Sequence, residues 1–398
     1  MESSRPARPS HTRVHNDRLA LELLLARGPL TAPELVAGTG LSRPTIADLV
    51  GRLQRADLIE VVGEDDRARR GPRARLYGIA GRRAHVVGLD LRADGIHVAV
   101  SDLSGTVVAE RAAPLEPATL DAITAALAVI DDAVDEVGAD MPHTIAVGAP
   151  GLVDPATGLL RPRGEAAWHA ELIDALRLRA TTVLVENEAN LAGIAELEAG
   201  AGRDTFALLW LGDGVGAATV LDGALRRGAS GGAGELGFLP VPGTAGRPSA
   251  TACGGGFHDL ASGGAVRGLA ARHGVTARDD GQAPRDGHGP AAPAALVRAA
   301  ATGDAGPGGG AFLDALAANV ALGAAAISAV LDPGCVILGG PVGRAGGTEL
   351  AHRVSDHLRS LSPLPTEVLT SAVEGNEILR GAVQVALAAT RGALFDGD

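Results

Sequence analysis

Apolar residues near the start of the chain recur at helical spacing and are separated by turn residues, which predicts three short helices over residues 16–56. Asn16 is placed to cap the first helix, which would end at Gly28. Thr31 and Glu34 form a capping-box pattern at the start of the second, and Ser42 can cap the third. In the third helix, four apolar residues follow the i, i+3, i+4, i+7 pattern and must face a core: Ile46, Leu49, Val50 and Leu53.

Two strand-like runs follow the third helix, at residues 58–62 and 74–79, and the segment between them is polar and dense in arginine. Three helices followed by a β-hairpin is the order of a winged helix-turn-helix. We therefore predict a disordered basic arm over residues 1–14, a DNA-binding domain over 15–83, and a short linker at 80–83.

From residue 84 onward, strand and helix patterns alternate, which is typical of an α/β body. Residues 85–91, 96–102 and 107–109 predict a three-stranded meander, and Asp222-Gly223 is a strong hairpin signal between two later strands. Residues 276–310 are rich in Gly, Pro and Ala and predict a mobile loop. Buried or amphipathic helices are predicted at 120–134, 169–179, 189–199, 317–330 and 381–389.

The charge is distributed unevenly between these two parts. Residues 1–83 carry a net charge of +5 and the remainder −17, which together give the −12 of the whole protein. A basic module on an acidic body favours a polyanionic partner at one end, although a solvated basic face is the simpler alternative. The two cysteines imply no disulfide framework, and no apolar run reaches the length of a membrane span. We expect a soluble cytoplasmic protein.

The third helix carries the clearest candidates for DNA recognition. Side chains that read base edges in the major groove must be polar and lie near the start of the recognition helix, as Ser42, Arg43 and Thr45 do. Arg52 and Arg55 would reach phosphates. The wing arginines would enter the minor groove or hold the backbone: Arg67, Arg69, Arg70 and Arg73. The alternative is a small helical module that binds protein.

A second set of residues predicts a ligand cleft in the body. Glycine-rich turns at 148–151, 212–216 and 339–340 follow predicted strands, where bare backbone can approach a ligand. Carboxylates and amides lie beside them and can orient sugar hydroxyls or take a proton from one. Taken singly, each is more often a helix cap or a solvated acid. The predicted ligand residues are Gly151, Asn187, Glu188, Glu235 and Asp259.

These stretches, in this order and spacing, resemble the ROK family of bacterial repressors, open-reading-frame proteins and sugar kinases. The resemblance extends from about residue 12 to 392 and rests on five segments: 28–46, GAPGLVD (148–154), ENEAN (186–190), AGELG (233–237) and LGG (338–340). It implies a two-lobed, actin-like sugar-kinase fold with the ligand between the lobes. The first lobe would comprise residues 84–185 plus 376–398, and the second 186–375.

The sequence departs from the kinases of that family at the positions that carry chemistry. The family's Asp-x-Gly-Gly-Thr turn reads Asp90-Leu91-Arg92-Ala93-Asp94, and its Gly-Thr-Gly turn reads Gly212-Asp213-Gly214. Side chains there obstruct the phosphates, and a carboxylate repels them. The catalytic aspartate is replaced by Glu188. Only Cys253 remains of the family's four zinc ligands, with Phe238 in place of the histidine, so we expect no metal and no cofactor.

The sequence therefore predicts a DNA-binding regulator, a repressor rather than an activator, that binds an inverted repeat as a homodimer or a dimer of dimers. A sugar or sugar phosphate bound in the kinase-like domain would control it, and no kinase activity is expected. Two alternatives remain: an ATP-dependent sugar kinase with an added DNA-binding module, and a ligand-free regulator whose body serves only for dimerisation.

Overall fold

The computed structural model describes residues 9–65, 73–92, 95–114, 120–161, 167–200, 202–277 and 292–396. The protein folds as two compact units. The first comprises Met1–Val147, Gly164–Leu184 and Ala382–Asp398, and the second Gly148–Arg163 and Val185–Gly381. The predicted boundary at residue 83/84 falls inside the first unit and stays a prediction.

The first unit begins with three helices and a small sheet. The helices are α1 (Pro9–Arg27), α2 (Ala32–Thr39) and α3 (Arg43–Arg55), and the strands β1 (Leu30–Thr31), β2 (Ile59–Asp65) and β3 (Ala74–Ile79) pair in the order β1-β3-β2. The capping box of Thr31 and Glu34 is confirmed: the Glu34 carboxylate accepts the Thr31 N–H at 2.8 Å. Ser42 caps α3, also as predicted. The winged helix-turn-helix order is therefore the observed one.

The start of α1 corrects the prediction of a disordered arm over residues 1–14. The helix begins at Pro9, so Asn16 lies inside it and caps nothing. Proline is tolerated in the first helical turn because its missing N–H has no partner there in any case. Residues 1–8 lie outside the described part of the protein, and so do the wing arginines Arg67, Arg69 and Arg70.

The rest of the first unit is built on a five-stranded sheet. Its elements are β4 (His85–Leu91), β5 (Gly95–Asp102), β6 (Val107–Pro114), α4 (Leu120–Glu136), β7 (Thr144–Ala149) and α5 (Ala167–Leu176). With β10 (Thr182–Asn187) at the edge, the strand order is β10-β7-β4-β5-β6, and the predicted β4-β5-β6 meander is confirmed.

The second unit surrounds another five-stranded sheet. The short strands β8 (Leu152–Val153) and β9 (Leu160–Arg161) form a hairpin. The strands β11 (Phe206–Leu211), β12 (Val215–Leu221), β13 (Ala224–Leu225), β14 (Cys335–Gly339) and β15 (Glu367–Thr370) pair in the order β13-β12-β11-β14-β15. Asp222 and Gly223 form the predicted hairpin turn, with φ of 54° and 70°. The helices are α6 (Glu188–Ala199), α7 (His258–Ala261), α8 (Gly263–Arg272), α9 (Pro293–Thr302), α10 (Gly309–Leu331) and α11 (Gly340–Leu361).

The prediction of a loop over residues 276–310 is wrong in its second half. Pro293 opens α9, whose Leu296 and Val297 are buried in the core, and Gly303 ends it in the left-handed conformation. An alanine-rich segment is a good helix former once its few apolar side chains have a surface to pack on. Residues 278–291 lie outside the described ranges.

The last helix, α12 (Glu377–Phe395), and α10 are long and apolar enough to cross a membrane by length and composition alone. Half of each apolar window is buried inside the protein. In α10, Phe312, Leu316 and Val320 lie in the main core of the second unit, with no exposed surface. The hydrophobicity of α10 is therefore that of a core helix.

Candidate functional site

The first candidate surface is the start of α3. Ser42 is exposed, accepts the N–H of Thr45 at 3.3 Å, and lies 2.8 Å from the Thr45 hydroxyl. Arg43 follows the cap and is exposed. The cap fixes the direction of the first turn, while the buried face of α3 holds the helix against α1 and α2. The three residues predicted to read bases are therefore adjacent on a rigid helix start.

Arg52 is in a different environment from the one that a phosphate contact requires. Its guanidinium lies 2.6 Å from Asp17 of α1 and also pairs with Asp48, and only 24% of its side chain is exposed. The hydrogen bond to Asp17 is the largest cause of the raised pKa of Arg52. The structure thus places Arg52 in an ion pair between α1 and α3, which sequence spacing alone did not reveal.

The second candidate surface is a cleft of about 250 Å³ in the second unit. Five segments supply it: the turn after β7, the start of α6, the end of β11, the start of β12 with the turn before it, and the glycine-rich stretch after β13 that carries Glu235. Its volume is just below the range of about 300–1,000 Å³ that is usual for small-molecule pockets. The lining residues are Pro150, Gly151, Asn187, Glu188, Ala189, Trp210, Gly214, Val215, Gly216, Ala217, Gly231, Ala233, Gly234 and Glu235. Four of the five predicted ligand residues are thus brought together.

Asn187 organises one wall of the cleft. Its side-chain oxygen accepts the N–H of Ala189 at 2.9 Å and so caps α6, and its side-chain nitrogen donates to the carbonyl of Gly151, also at 2.9 Å. Gly151 has a φ of 118°, which a residue with a side chain rarely adopts. The amide therefore fixes the glycine turn against the start of α6 and places Glu188 in the first turn of that helix.

Glu186 stands behind this wall and was not predicted as a functional residue. It is buried, accepts the amide of Asn190 at 2.8 Å, and lies 2.5 Å from Arg227 Nε. Arg227 precedes the glycine-rich stretch that carries Glu235. The ion pair therefore connects the start of α6 with that stretch, and the burial of a carboxylate one residue before the cap is a signal that sequence alone does not give.

Two glycines let this stretch lie against the strands beneath it. A Cβ on Gly234 would lie 1.9 Å from the carbonyl oxygen of Ala217, and one on Gly231 equally close to that of Val153. Both residues also have a positive φ, of 87° and 79°. Side chains at these positions are excluded, so bare backbone forms this part of the cleft wall.

Asp259 is not among the residues that line the cleft. Its carboxylate accepts the N–H of Gly255 at 2.7 Å and so closes the turn before α7. Its part in ligand binding stays a prediction that the geometry does not favour.

The positions that depart from the kinase pattern have definite environments. Asp90 is fully buried and pairs with Arg92 at 2.8 Å, whereas the side chain of Asp213 is 93% exposed. Cys253 is half-buried, and the described part of the protein contains no cluster of three or more metal-ligating side chains.

Residues 86–389 match the family model of the ROK family. The chain belongs to the ROK family. Residues 16–71 match the MarR family model, which covers α2, α3 and most of α1 in the winged module. The predicted fold, a winged helix-turn-helix followed by an actin-like sugar-kinase fold, is confirmed.

Among curated relatives, the chain is 25% identical to the xylose repressor of Bacillus subtilis over 236 residues, covering 57% of this chain and 60% of the repressor. It is 31% identical to a glucokinase of Halalkalibacterium halodurans over 212 residues, covering 52% of this chain and 63% of that enzyme. The chain therefore spans about three fifths of the length of these relatives.

Two solved structures share the fold. A ROK family transcriptional regulator, a homologue of the E. coli MLC protein, has a TM-score of 0.73 at 20% identity, covering 97% of this chain and 100% of that one. The ROK glucokinase of Streptomyces griseus in complex with glucose and AMPPNP has a TM-score of 0.62 at 25% identity, covering 76% and 99%. The winged module and the ROK body thus occur together in a known regulator.

Proposed function

We propose that this protein is a transcriptional repressor that binds DNA through α3 and its wing, and that a small sugar-like ligand in the cleft controls its affinity. The observation that carries the proposal is the exposed, capped start of α3, with Arg43 adjoining Ser42 and Thr45, in the same protein as a glycine-walled ROK cleft. The likeness to a xylose repressor supports a sugar as effector.

The finer features are part of the same proposal. A homodimer or a dimer of dimers would place two α3 helices in successive major grooves of an inverted repeat. The protein would act in the cytoplasm. The ligand would shift DNA affinity only by binding one conformation more tightly than another.

The test is binding of the purified full-length protein to duplex DNA from its own promoter region, at several salt concentrations, against a random duplex. We expect selective binding that weakens as salt rises, because each phosphate contact releases counterions. Arg43→Glu should lower the affinity by about tenfold or more. Arg272→Glu, an exposed change of the same charge on α8, is the matched control and should leave the affinity unchanged. Equal binding to both duplexes would contradict the proposal.

A second candidate, a sugar kinase with an added DNA-binding module, is favoured by the glucokinase relative. Against it, Glu188 replaces the family's catalytic aspartate and displaces the acid, and a misplacement of about 1 Å can cost about 100-fold in rate. Asp213 adds a carboxylate where phosphates would lie. A coupled assay of ADP release with ATP, Mg²⁺ and a panel of sugars separates the two: the repressor proposal expects no turnover above background, and turnover at ordinary enzyme rates would favour the kinase.

A further inference from the structure

Trp210 is the single aromatic residue among those that line the cleft. Side chains of β11 alternate between two faces, because successive residues of a strand point to opposite sides. Ala207, Leu209 and Leu211 pack into the main core, whereas Phe206 and Leu208 pack into a second cluster, which Trp210 also contacts. Trp210 is the last residue of that row and is half-buried, whereas the other residues of β11 are fully buried. One part of the indole therefore rests on the protein while the other part borders the cleft.

The surroundings of the indole leave room for a ligand. Both cross-strand neighbours of Trp210 are glycines, Gly216 on β12 and Gly339 on β14, so no side chain stands directly opposite Trp210 on either neighbouring strand. A Cβ added to Gly216 would be in ordinary van der Waals contact with Ala189 at 3.6 Å, whereas one added to Gly339 would lie 3.1 Å from Leu208. The side of the indole toward β12 is therefore the less crowded one.

The polar end of the indole is also available. Trp210 Nε1 lies beside the Gly212 turn, 3.2 Å from where a Cβ of Gly212 would be. In the described part of the protein no hydrogen bond to this N–H is found. Since a partly buried indole N–H usually has a partner, a ligand hydroxyl is a suitable acceptor.

The remaining lining residues define what kind of ligand suits this wall. Asn187, Glu188 and Glu235 offer oxygens that accept hydroxyl protons. The lining residues include no arginine, lysine or histidine, which are the side chains that supply charge-assisted hydrogen bonds to phosphate. A ring with one apolar C–H face for the indole, and hydroxyls around its edge, matches both walls.

We propose that Trp210 is the stacking wall of the cleft and that the ligand it receives is an unphosphorylated sugar ring. The inference rests on the proposed function, because it assigns the chemistry of the effector. The sequence predicts either a sugar or a sugar phosphate as effector, and this inference selects the unphosphorylated sugar.

The test is calorimetric titration of the full-length protein with four probes: D-glucose, D-xylose, D-glucose 6-phosphate and the acyclic alditol D-glucitol. At least one of the two free sugars should bind. The phosphorylated sugar and D-glucitol should bind at least about tenfold more weakly, because one adds an anion without a partner and the other lacks the ring. Tighter binding of the phosphate, binding of D-glucitol equal to that of the free sugars, or no binding by either free sugar would overturn the inference.

Two substitutions separate stacking from mere packing. Trp210→Phe keeps a ring and should weaken binding of the free sugar by about threefold or less, whereas Trp210→Leu keeps apolar bulk and should weaken it by about tenfold or more. Binding of D-glucitol should be the same in both variants, since it has no ring to stack. Equal affinity of Trp210→Leu and wild type for the free sugar would overturn the assignment.

A spectroscopic readout covers the case in which Trp210→Leu does not fold. The protein has two tryptophans, so Trp168→Phe leaves Trp210 as the single emitter. The bound free sugar should shift its emission and protect it from acrylamide quenching, and an unchanged spectrum at saturating sugar would contradict stacking. Promoter binding by the same wild-type sample tests the proposed function independently, so failure of one is distinguishable from failure of the other.

Discussion

The two candidate surfaces of this protein are constructed in opposite ways. In the winged module, side chains do the positioning: Ser42 caps α3, and Arg52 pairs with Asp17 on α1. In the cleft, the stretch that carries Gly231 and Gly234 forms its wall with backbone, held at distances that only glycine permits. The difference indicates that the candidate surface at the start of α3 can change by exchange of exposed side chains, whereas the cleft tolerates little change in its glycines.

We therefore expect the largest loss of stability from adding a methyl group to a glycine of the cleft. Gly234→Ala would place its Cβ 1.9 Å from the Ala217 carbonyl oxygen at a φ of 87°, and we expect a loss of about 3–5 kcal/mol in the free energy of unfolding. Gly40→Ala, at the end of α2, has φ of 70° but nothing within 4 Å, so about 1 kcal/mol is expected. Urea denaturation measures both.

Gly246→Ala is the control for that pair, since it is exposed, has no positive φ and would contact nothing within 4 Å. It should change stability by less than about 0.5 kcal/mol. Equal losses of stability in Gly234→Ala and Gly40→Ala would contradict the proposed difference between the two surfaces.

A buried histidine gives the first unit a dependence on pH. Burial lowers the pKa of His169 on α5 to about 4 from its usual value of 6.5, and the residue is 3% exposed. The folded state therefore resists protonation of His169. The contribution of this group to the free energy of unfolding is fully present above pH 6.5 and is lost as the pH falls toward 4. The loss amounts to about 3 kcal/mol for this group.

Unfolding free energies measured between pH 7 and pH 4 check this prediction. His169→Gln should flatten the decline, whereas His352→Gln, an exposed change of the same kind on α11, should not. A decline of the same steepness in His169→Gln and wild type would remove His169 as its cause.

The ion pair between Arg52 and Asp17 tests the role of side chains in the winged module. Arg52→Ala should cost about 1–2 kcal/mol of stability, because the pair with Asp17 is mostly shielded from water. The swap Asp17→Arg with Arg52→Asp should recover part of this loss. A phosphate contact predicts instead that the slope of DNA affinity against salt falls by about one in Arg52→Ala; we expect no change in that slope.

The smallest expected effect is on the reactivity of the two cysteines in the second unit. Burial raises the pKa of Cys335 to about 11, so its thiol stays protonated and hidden in β14, while Cys253 is half-buried. One equivalent of a thiol reagent should react readily with the native protein, at Cys253, and Cys253→Ser should abolish this. Rapid labelling of Cys335 in that variant would show that β14 opens.

Local patterns predicted much of this structure because they act over a few residues. The capping box at Thr31, the cap at Ser42 and the hairpin at Asp222 each follow from backbone groups that a nearby side chain or a positive φ must satisfy. The order of motifs then indicated the family fold, and four of the five predicted ligand residues line one cleft.

What sequence could not supply were contacts between distant segments. The pairing of Arg52 with Asp17 spans 35 positions, and that of Glu186 with Arg227 spans 41. Helix α9 was missed because its alanine-rich sequence has little amphipathic pattern, and its stability comes from burial of Leu296 and Val297. The prediction that Asn16 caps α1 was wrong because the helix begins at Pro9, N-terminal to the apolar residues that indicated it.

The end of α12 completes the winged module from a distant part of the sequence. Its last residue, Phe395, is buried in the same core as Leu21, Leu35 and Leu53, and Asp396 pairs with Arg18 of α1, 378 positions away. A fragment that stops after the wing would therefore expose part of the core that holds α3.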